Sequence, residues 1–229
     1  MKMPLHFSGC LILLLSVGSL PGLAQGSASS SLPPMTLLDA GGRRYFDNWV
    51  NEVEGTAFFK DGWGKGYVVL KSGRRFNDVV LQVDLYQQQV YFQHQGATYS
   101  FNEPVVEAMI QYPDDADRPQ RLFKTGYPSV GSHNAATVYE VLADGSRLQL
   151  LAWHGKKLVE KTNYGGAAVK QFVAETQYWL YDVASKALVP ADKKTDLAAL
   201  TGLPAQCSSK SRPRSTEDWI KLVQCANTR

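Results

Sequence analysis

The sequence predicts a mainly β fold: an antiparallel sheet that curls into a roll, an open barrel or a sandwich, followed by two short C-terminal α-helices. Three observations predict it. Between residues 55 and 190 apolar side chains recur with period two, the spacing of strands with one face on a core. Turn pairs such as Ser72-Gly73, Gln95-Gly96 and Asp144-Gly145 interrupt that stretch. Beyond residue 195 the apolar period becomes helical.

Composition narrows the function classes. The chain has 229 residues, of which 44% are apolar and 20% charged. That apolar content is enough to offset ordering entropy, which excludes a disordered chain. Three cysteines are too few for a disulfide-dense miniprotein. A formal charge of +3 is too small to make nucleic acid the expected partner.

The N-terminus is expected to be a signal peptide, residues 1–24. Lys2 is its positive start, residues 10–20 are its apolar run, and Gly22 and Ala24 are the small residues at a cleavage site. The run falls short of the roughly 20 residues that span a bilayer. Cys10 precedes the apolar run instead of following it, which argues against lipidation. Residues 25–44 open with small polar residues and Pro33-Pro34 and are assigned to a flexible linker. No later segment is long and apolar enough for a transmembrane span. The expected location is periplasmic, cell-surface or secreted.

Residues 45–190 are expected to form the β domain. Val79, Leu81, Val83 and Leu85 alternate with Asp78, Gln82, Asp84 and Tyr86, so the second set is assigned to the water face. Residues 67–70, 90–92, 97–101 and 105–112 continue the pattern. A loop-rich stretch, 113–136, is interrupted by a short strand at 121–123. Residues 137–142 and 147–153 flank Asp144-Gly145, which suits a type I′ turn. Residues 158–159 form a short strand, and 169–183 form a long one that returns at 187–189.

Residues 191–229 are expected to be helical and to pack on the sheet. Thr195 is the expected first N-cap, with Gly202 and Pro204 as stop signals. Ser215 to Asp218 matches a capping box, and Trp219, Leu222, Val223 and Ala226 form one apolar stripe. Cys207 and Cys225 remain after cleavage, and an oxidising compartment favours a disulfide between them.

The constellations examined for chemistry give no catalytic, cofactor or metal assignment. Asp114, Asp115 and Asp117 lack EF-hand spacing and suit a solvated loop. His94, His133 and His154 are isolated, and Ser132-His133 lacks a nucleophile elbow. Residues 62–66 are glycine-rich but precede a strand, so they suit a turn and not a phosphate loop. The paired basic residues suit strand ends. Aromatics on one sheet can bind glycans, lipids or partners. Trp63, Tyr178, Trp179 and Tyr181 are therefore the candidate surface-binding residues.

The segments at 54–59, 66–86, 139–145, 175–200 and 215–223 together resemble a family of uncharacterised exported β-rich proteins of Bacteroidota and related bacteria. The cysteine pair and the acidic loop depart from that pattern. The resemblance implies export and a β fold, and it supplies no catalytic residues. The expected function is a non-catalytic binding or structural role toward an envelope partner. The alternatives are carriage of an apolar, lipid-like ligand inside the curled sheet and, behind it, a hydrolase.

Overall fold

The computed structural model describes residues 37–44, 53–162, 168–208 and 212–228. The expected signal peptide and residues 25–36 of the expected linker lie outside the described residues. Among the described residues, twelve strands form one sheet. They are β1 (Gly41–Arg44), β2 (Val53–Glu54), β3 (Gly64–Leu70), β4 (Arg75–Asp84), β5 (Gln89–His94), β6 (Ala97–Phe101), β7 (Val105–Gln111), β8 (Gln120–Lys124), β9 (Tyr139–Ala143), β10 (Leu148–Thr162), β11 (Ala168–Asp182) and β12 (Ala187–Pro190). The spatial order is β1-β6-β5-β4-β3-β7-β8-β9-β10-β11-β12, with β2 beside β11. All pairings are antiparallel except β2 with β11.

The sheet is open, because β1 and β12 end the order without meeting. It is also curled. Phe92 of β5 and Phe123 of β8 are separated by three strands yet share one core with Leu70, Leu81 and Ile110. The curl brings β10 back to the end of β4, where the Lys156 N–H donates to the Leu85 carbonyl at 3.3 Å. Of the three expected architectures, the molecule is thus one open curled sheet with a filled interior.

Beyond the curl, both faces of the sheet are covered around residues 148–151 and 179–180. Leu148, Leu150 and Leu180 pack under the C-terminal helices. Val141, Leu151 and Trp179 point the other way and pack with Tyr127, Tyr139 and Leu188. The helices are α1 (Ala205–Ser208) and α2 (Thr216–Asn227). Ser215 and Asp218 close the expected capping box of α2, and Trp219, Leu222, Val223 and Ala226 are its buried residues. Cys207 and Cys225 form the expected disulfide, joining α1 to α2.

Several expectations are corrected. Residues 37–44 belong to the fold and not to a linker. Leu37–Ala40 is a 3-10 turn with Ala40 fully buried, and β1 pairs with β6. Residues 64–66 are strand, and Gly66 is there because a Cβ would overlap the Met109 carbonyl of β7. Asp84 and Gln82 are buried, not on a water face. Residues 57–59 run beside the end of β4 and cover it, with the Phe59 N–H on the Val83 carbonyl. The 158–159 strand is part of the far half of the 15-residue β10.

The Asp144-Gly145 hairpin forms, but not as a type I′ turn, since neither residue has positive φ. Gly145 is required instead by α2: a Cβ there would overlap the Asn227 amide, whose Oδ1 accepts from Arg147 N–H at 2.8 Å. Asp196, not Thr195, caps a single 3-10 turn, Leu197–Ala199. Thr195 is buried, and its hydroxyl donates to the Pro190 carbonyl at 2.6 Å.

Two turns share a device that the alternation pattern hides. Asp84 Oδ1 accepts from the N–H groups of Tyr86 and Gln87 at 2.8 and 2.7 Å. Asp182 Oδ1 accepts in the same way from Ala184 and Ser185 at 3.1 and 3.3 Å. In each case the residue four positions after the aspartate, Gln88 or Lys186, has φ near +55°. Asp182 also accepts from the Thr201 hydroxyl and the Gly202 N–H, which ties the β11–β12 turn to the chain leading into α1.

The disulfide closes a loop of 18 residues. Cys207→Ser with Cys225→Ser is expected to lower unfolding stability by about 3 kcal/mol. The helix should remain docked through its apolar stripe. Guanidinium denaturation of both proteins, with and without reductant, checks this. Equal midpoints would refute it.

Candidate functional site

The sheet from β8 to β11 carries charge on one face and aromatic rings on the other. Glu140 sits opposite Ala152, so it shares a face with His154, and His154 sits opposite Thr176. This row is a hydrogen-bonded network. Glu140 Oε1 accepts from Arg121 at 2.8 Å and pairs with Arg118 at 3.0 Å, while Oε2 meets His154 Nε2 at 2.7 Å. His154 Nδ1 lies 3.1 Å from the Thr176 hydroxyl. Arg121 also pairs with Asp115 at 2.6 Å, and Lys60 joins Asp115 at 3.2 Å.

Glu140 is 1% exposed. Burial pushes its carboxyl pKa up, but the hydrogen bonds from His154 and Arg121 and the Arg118 charge outweigh that and hold it below its ordinary 4.5. Phe59 packs on the network, with ring contacts to His154 and Phe123 and the Arg121 guanidinium over its face. The acidic loop is explained here. Asp115 is a buried partner of Arg121, and among the described residues no cluster of His, Cys, Asp and Glu could hold a metal.

The opposite face begins with Tyr139 directly across from Trp153. His133, from the 131–137 loop, packs against Tyr139, Trp153 and Trp179 with ring centroids 5.7, 4.9 and 5.0 Å away. His133 Nδ1 and the Tyr139 hydroxyl share a 2.7 Å hydrogen bond. Burial lowers the His133 pKa from its ordinary value, against a weaker opposing pull from Glu175. Gly155 makes room for Trp153, because the indole occupies the space a Cβ would need.

Gln88 joins this face to the curl. Its Nε2 donates to the carbonyls of Leu85 and His154 at 2.8 and 2.9 Å. Its Oε1 accepts from Trp153 Nε1 and the Val138 N–H at 3.0 and 3.2 Å. Its side-chain amide thus makes four hydrogen bonds, and they hold the residue in the left-handed region.

Two clefts flank Gln88. One, of about 300 Å³, is walled by Gln87, Gln88 and Gln89 on one side and by Ser132, Asn134 and Thr137 on the other, with His133 and Trp153 as its rings. No side chain lining it is charged. The second, of about 310 Å³, has Val90, Phe101, Pro104, Val105 and Val138 among its walls. The clefts share Gln88, Gln89 and Ala136.

The expected surface aromatics are not brought together. Tyr178 is 36% exposed and lies on the face of His154. Trp179 is buried in the opposite face among Tyr127, Tyr139 and Leu151, which corrects its assignment to the surface. Tyr181 is half-buried, edge-on to Tyr127. Trp63 is half-buried in the turn before β3. None of the four lines either cleft. The residues missed by sequence reasoning are Gln87, Gln88, Gln89, Trp153 and Glu140. Three adjacent glutamines between two strands, and a lone carboxylate in an apolar strand, were the available signals.

Comparison with protein-family models, curated proteins and solved structures finds no match to this chain, so nothing in it bears on the resemblance to the Bacteroidota family.

The Glu140 network predicts a pH dependence. A carboxyl whose folded pKa is depressed contributes stability that is present above its unfolded pKa near 4.5 and is lost as pH falls through the folded value. Glu140→Gln is expected to cost about 3–5 kcal/mol at pH 7, because it leaves buried charge uncompensated. The gap from the wild type should narrow as pH falls below 4.5 and through the depressed folded pKa. Urea denaturation followed by tryptophan fluorescence checks both, and a pH-independent gap would count against the assignment.

Proposed function

We propose that this chain is an exported, non-catalytic binding domain of the cell envelope, and that it binds through the cleft at the 87–89 turn. The observation that carries the reading is an uncharged cleft of about 300 Å³ built where the two parts of a packed sheet meet. Ligand sites favour such concave junctions, with a few oriented polar groups set among rings. Export is supported by the signal-like residues 1–24 and by a disulfide of the kind oxidising compartments sustain. Among the described residues no helix is long and apolar enough to cross a membrane.

Two other readings each have an observation behind them. Carriage of an apolar ligand inside the curl is opposed by Leu81, Phe92, Ile110 and Phe123, which fill it. That reading is left with the cleft of about 310 Å³ beside Val90 and Phe101. A hydrolase is favoured by His154 lying between the Glu140 carboxylate and the Thr176 hydroxyl. Against it, Arg118 and Arg121 hold Glu140 as closely as His154 does, and neither cleft is lined by His154 or Thr176.

Expression of the full chain in a Gram-negative host, followed by fractionation and intact mass, tests export. The expected product is periplasmic, begins at residue 25 and has no thiol that alkylates before reduction. A full-length cytoplasmic product with free thiols would overturn the export reading. Hydrolysis of p-nitrophenyl acetate that disappears in His154→Ala would replace the non-catalytic reading with the hydrolase.

A further inference from the structure

The same cleft carries information about its ligand, and the inference rests on the binding reading above. We propose that it takes a neutral carbohydrate, held by amides and hydroxyls against the Trp153 and His133 rings. Three ligand classes fit poorly. An anion would call for arginine or lysine and a cation for a carboxylate, and no charged side chain lines the cleft. Glu175 belongs to the same face of β11 as Trp179, but it is engaged by Lys157 at 2.6 Å and by Gln177 at 2.8 Å. A wholly apolar ligand would strip water from the lining amides and hydroxyls without replacing their hydrogen bonds.

A sugar ring answers each of these features. Its hydroxyls donate and accept, as amide side chains do. Its C–H face packs on an indole, which provides apolar area with a polar edge. Here that polar edge is fixed, because Trp153 Nε1 is bonded to Gln88.

The polar wall is also pre-arranged. Gln87 Oε1 accepts from the Tyr91 hydroxyl at 3.0 Å, and Asn134 Oδ1 accepts from the Ala136 N–H at 2.8 Å. Each bond fixes an amide by its oxygen and leaves the N–H₂ donors for a ligand. The Thr137 hydroxyl accepts from the Asn134 N–H at 2.9 Å, which sets the loop itself. Groups oriented before binding lower the ordering cost of association. The volume is at the low end for small-molecule sites, which suits the terminal unit of a glycan chain.

The test is a two-dimensional amide NMR titration of the mature chain, residues 25–229. Cellohexaose, mannohexaose and chitohexaose are the neutral probes, with polygalacturonate and decanoate as parallel arms. The expected result is that a neutral oligosaccharide shifts the signals of residues 87–89, 132–137 and the Trp153 indole. Trp153→Ala should weaken that binding at least about tenfold, and Gln89→Ala, on an exposed side chain that leaves the core intact, about threefold. If Trp153→Ala fails to fold, Gln89→Ala alone decides the point. Absence of shifts with all three neutral probes overturns the proposal. Shifts at residues 87–89 and 132–137 with polygalacturonate or decanoate alone overturn it while leaving the binding reading standing, whereas shifts with decanoate alone at Val90 and Phe101 overturn both in favour of the apolar-ligand reading. Silence from every probe at both clefts overturns both.

Discussion

A carboxylate with 1% exposure sits at the seam of this sheet, and much of the fold is arranged around keeping it charged. Glu140 lies on β9, the strand between the filled curl and the layer under α2. A buried charge without partners costs several kcal/mol, so the seam has to supply them. Arg121 arrives from β8, His154 from β10 and Arg118 from the loop before β8. Three different segments must therefore be in register before the charge is compensated. That requirement resists strand slippage, since a one-residue shift would send Glu140 to the aromatic face. Phe59 then lies over the network and extends the apolar core across it.

The seam is held a second time from the other side of the curl. Gln88 bonds to β10 through the His154 carbonyl and the Trp153 indole, and Lys156 donates to the carbonyls of Thr56 and Phe58 at 2.6 and 2.7 Å. These groups do for an open sheet what ladder pairing does for a closed barrel. They satisfy half-buried backbone carbonyls where the strands part, and they tie the two sides of the curl together.

How far the sequence alone leads follows from this arrangement. The core face of β4 was legible, because Val79, Leu81 and Val83 recur at every second position. The capping box at Ser215 and the Cys207–Cys225 pair were legible because their signals are local. Asp84 and Asp182 were not, since a carboxylate aimed at its own turn has the same alternation as one aimed at water. The Asp144-Gly145 turn misled for a different reason. Its glycine serves Asn227, 82 positions away, and no local rule reports a tertiary contact. The site was harder still. Residues 87–89, 132–137 and Trp153 meet only because the sheet curls, and curvature leaves no trace in a period-two pattern. The burial of Trp179 was not legible because alternation within β11 does not tell which face packs, and Tyr178 on the other face is the exposed one.

Hydrogen-bond saturation separates the polar groups that build the fold from those that can serve a ligand. Glu140 and Asp182 are buried and meet several donors, and Gln88 makes four bonds with its amide. A ligand contacting any of them would have to break a bond worth about as much as it forms. The same argument weighs against catalysis at His154, where both ring nitrogens are already engaged. Around the 87–89 turn the situation changes. Among the described residues, Gln87 and Asn134 are fixed through their side-chain oxygens, and Gln89 and Ser132 are exposed at the rim. The neutral side chains that the scaffold orients without saturating are thus the groups the proposed binding would use, and they lie beside the tryptophan whose indole N–H is bonded to Gln88.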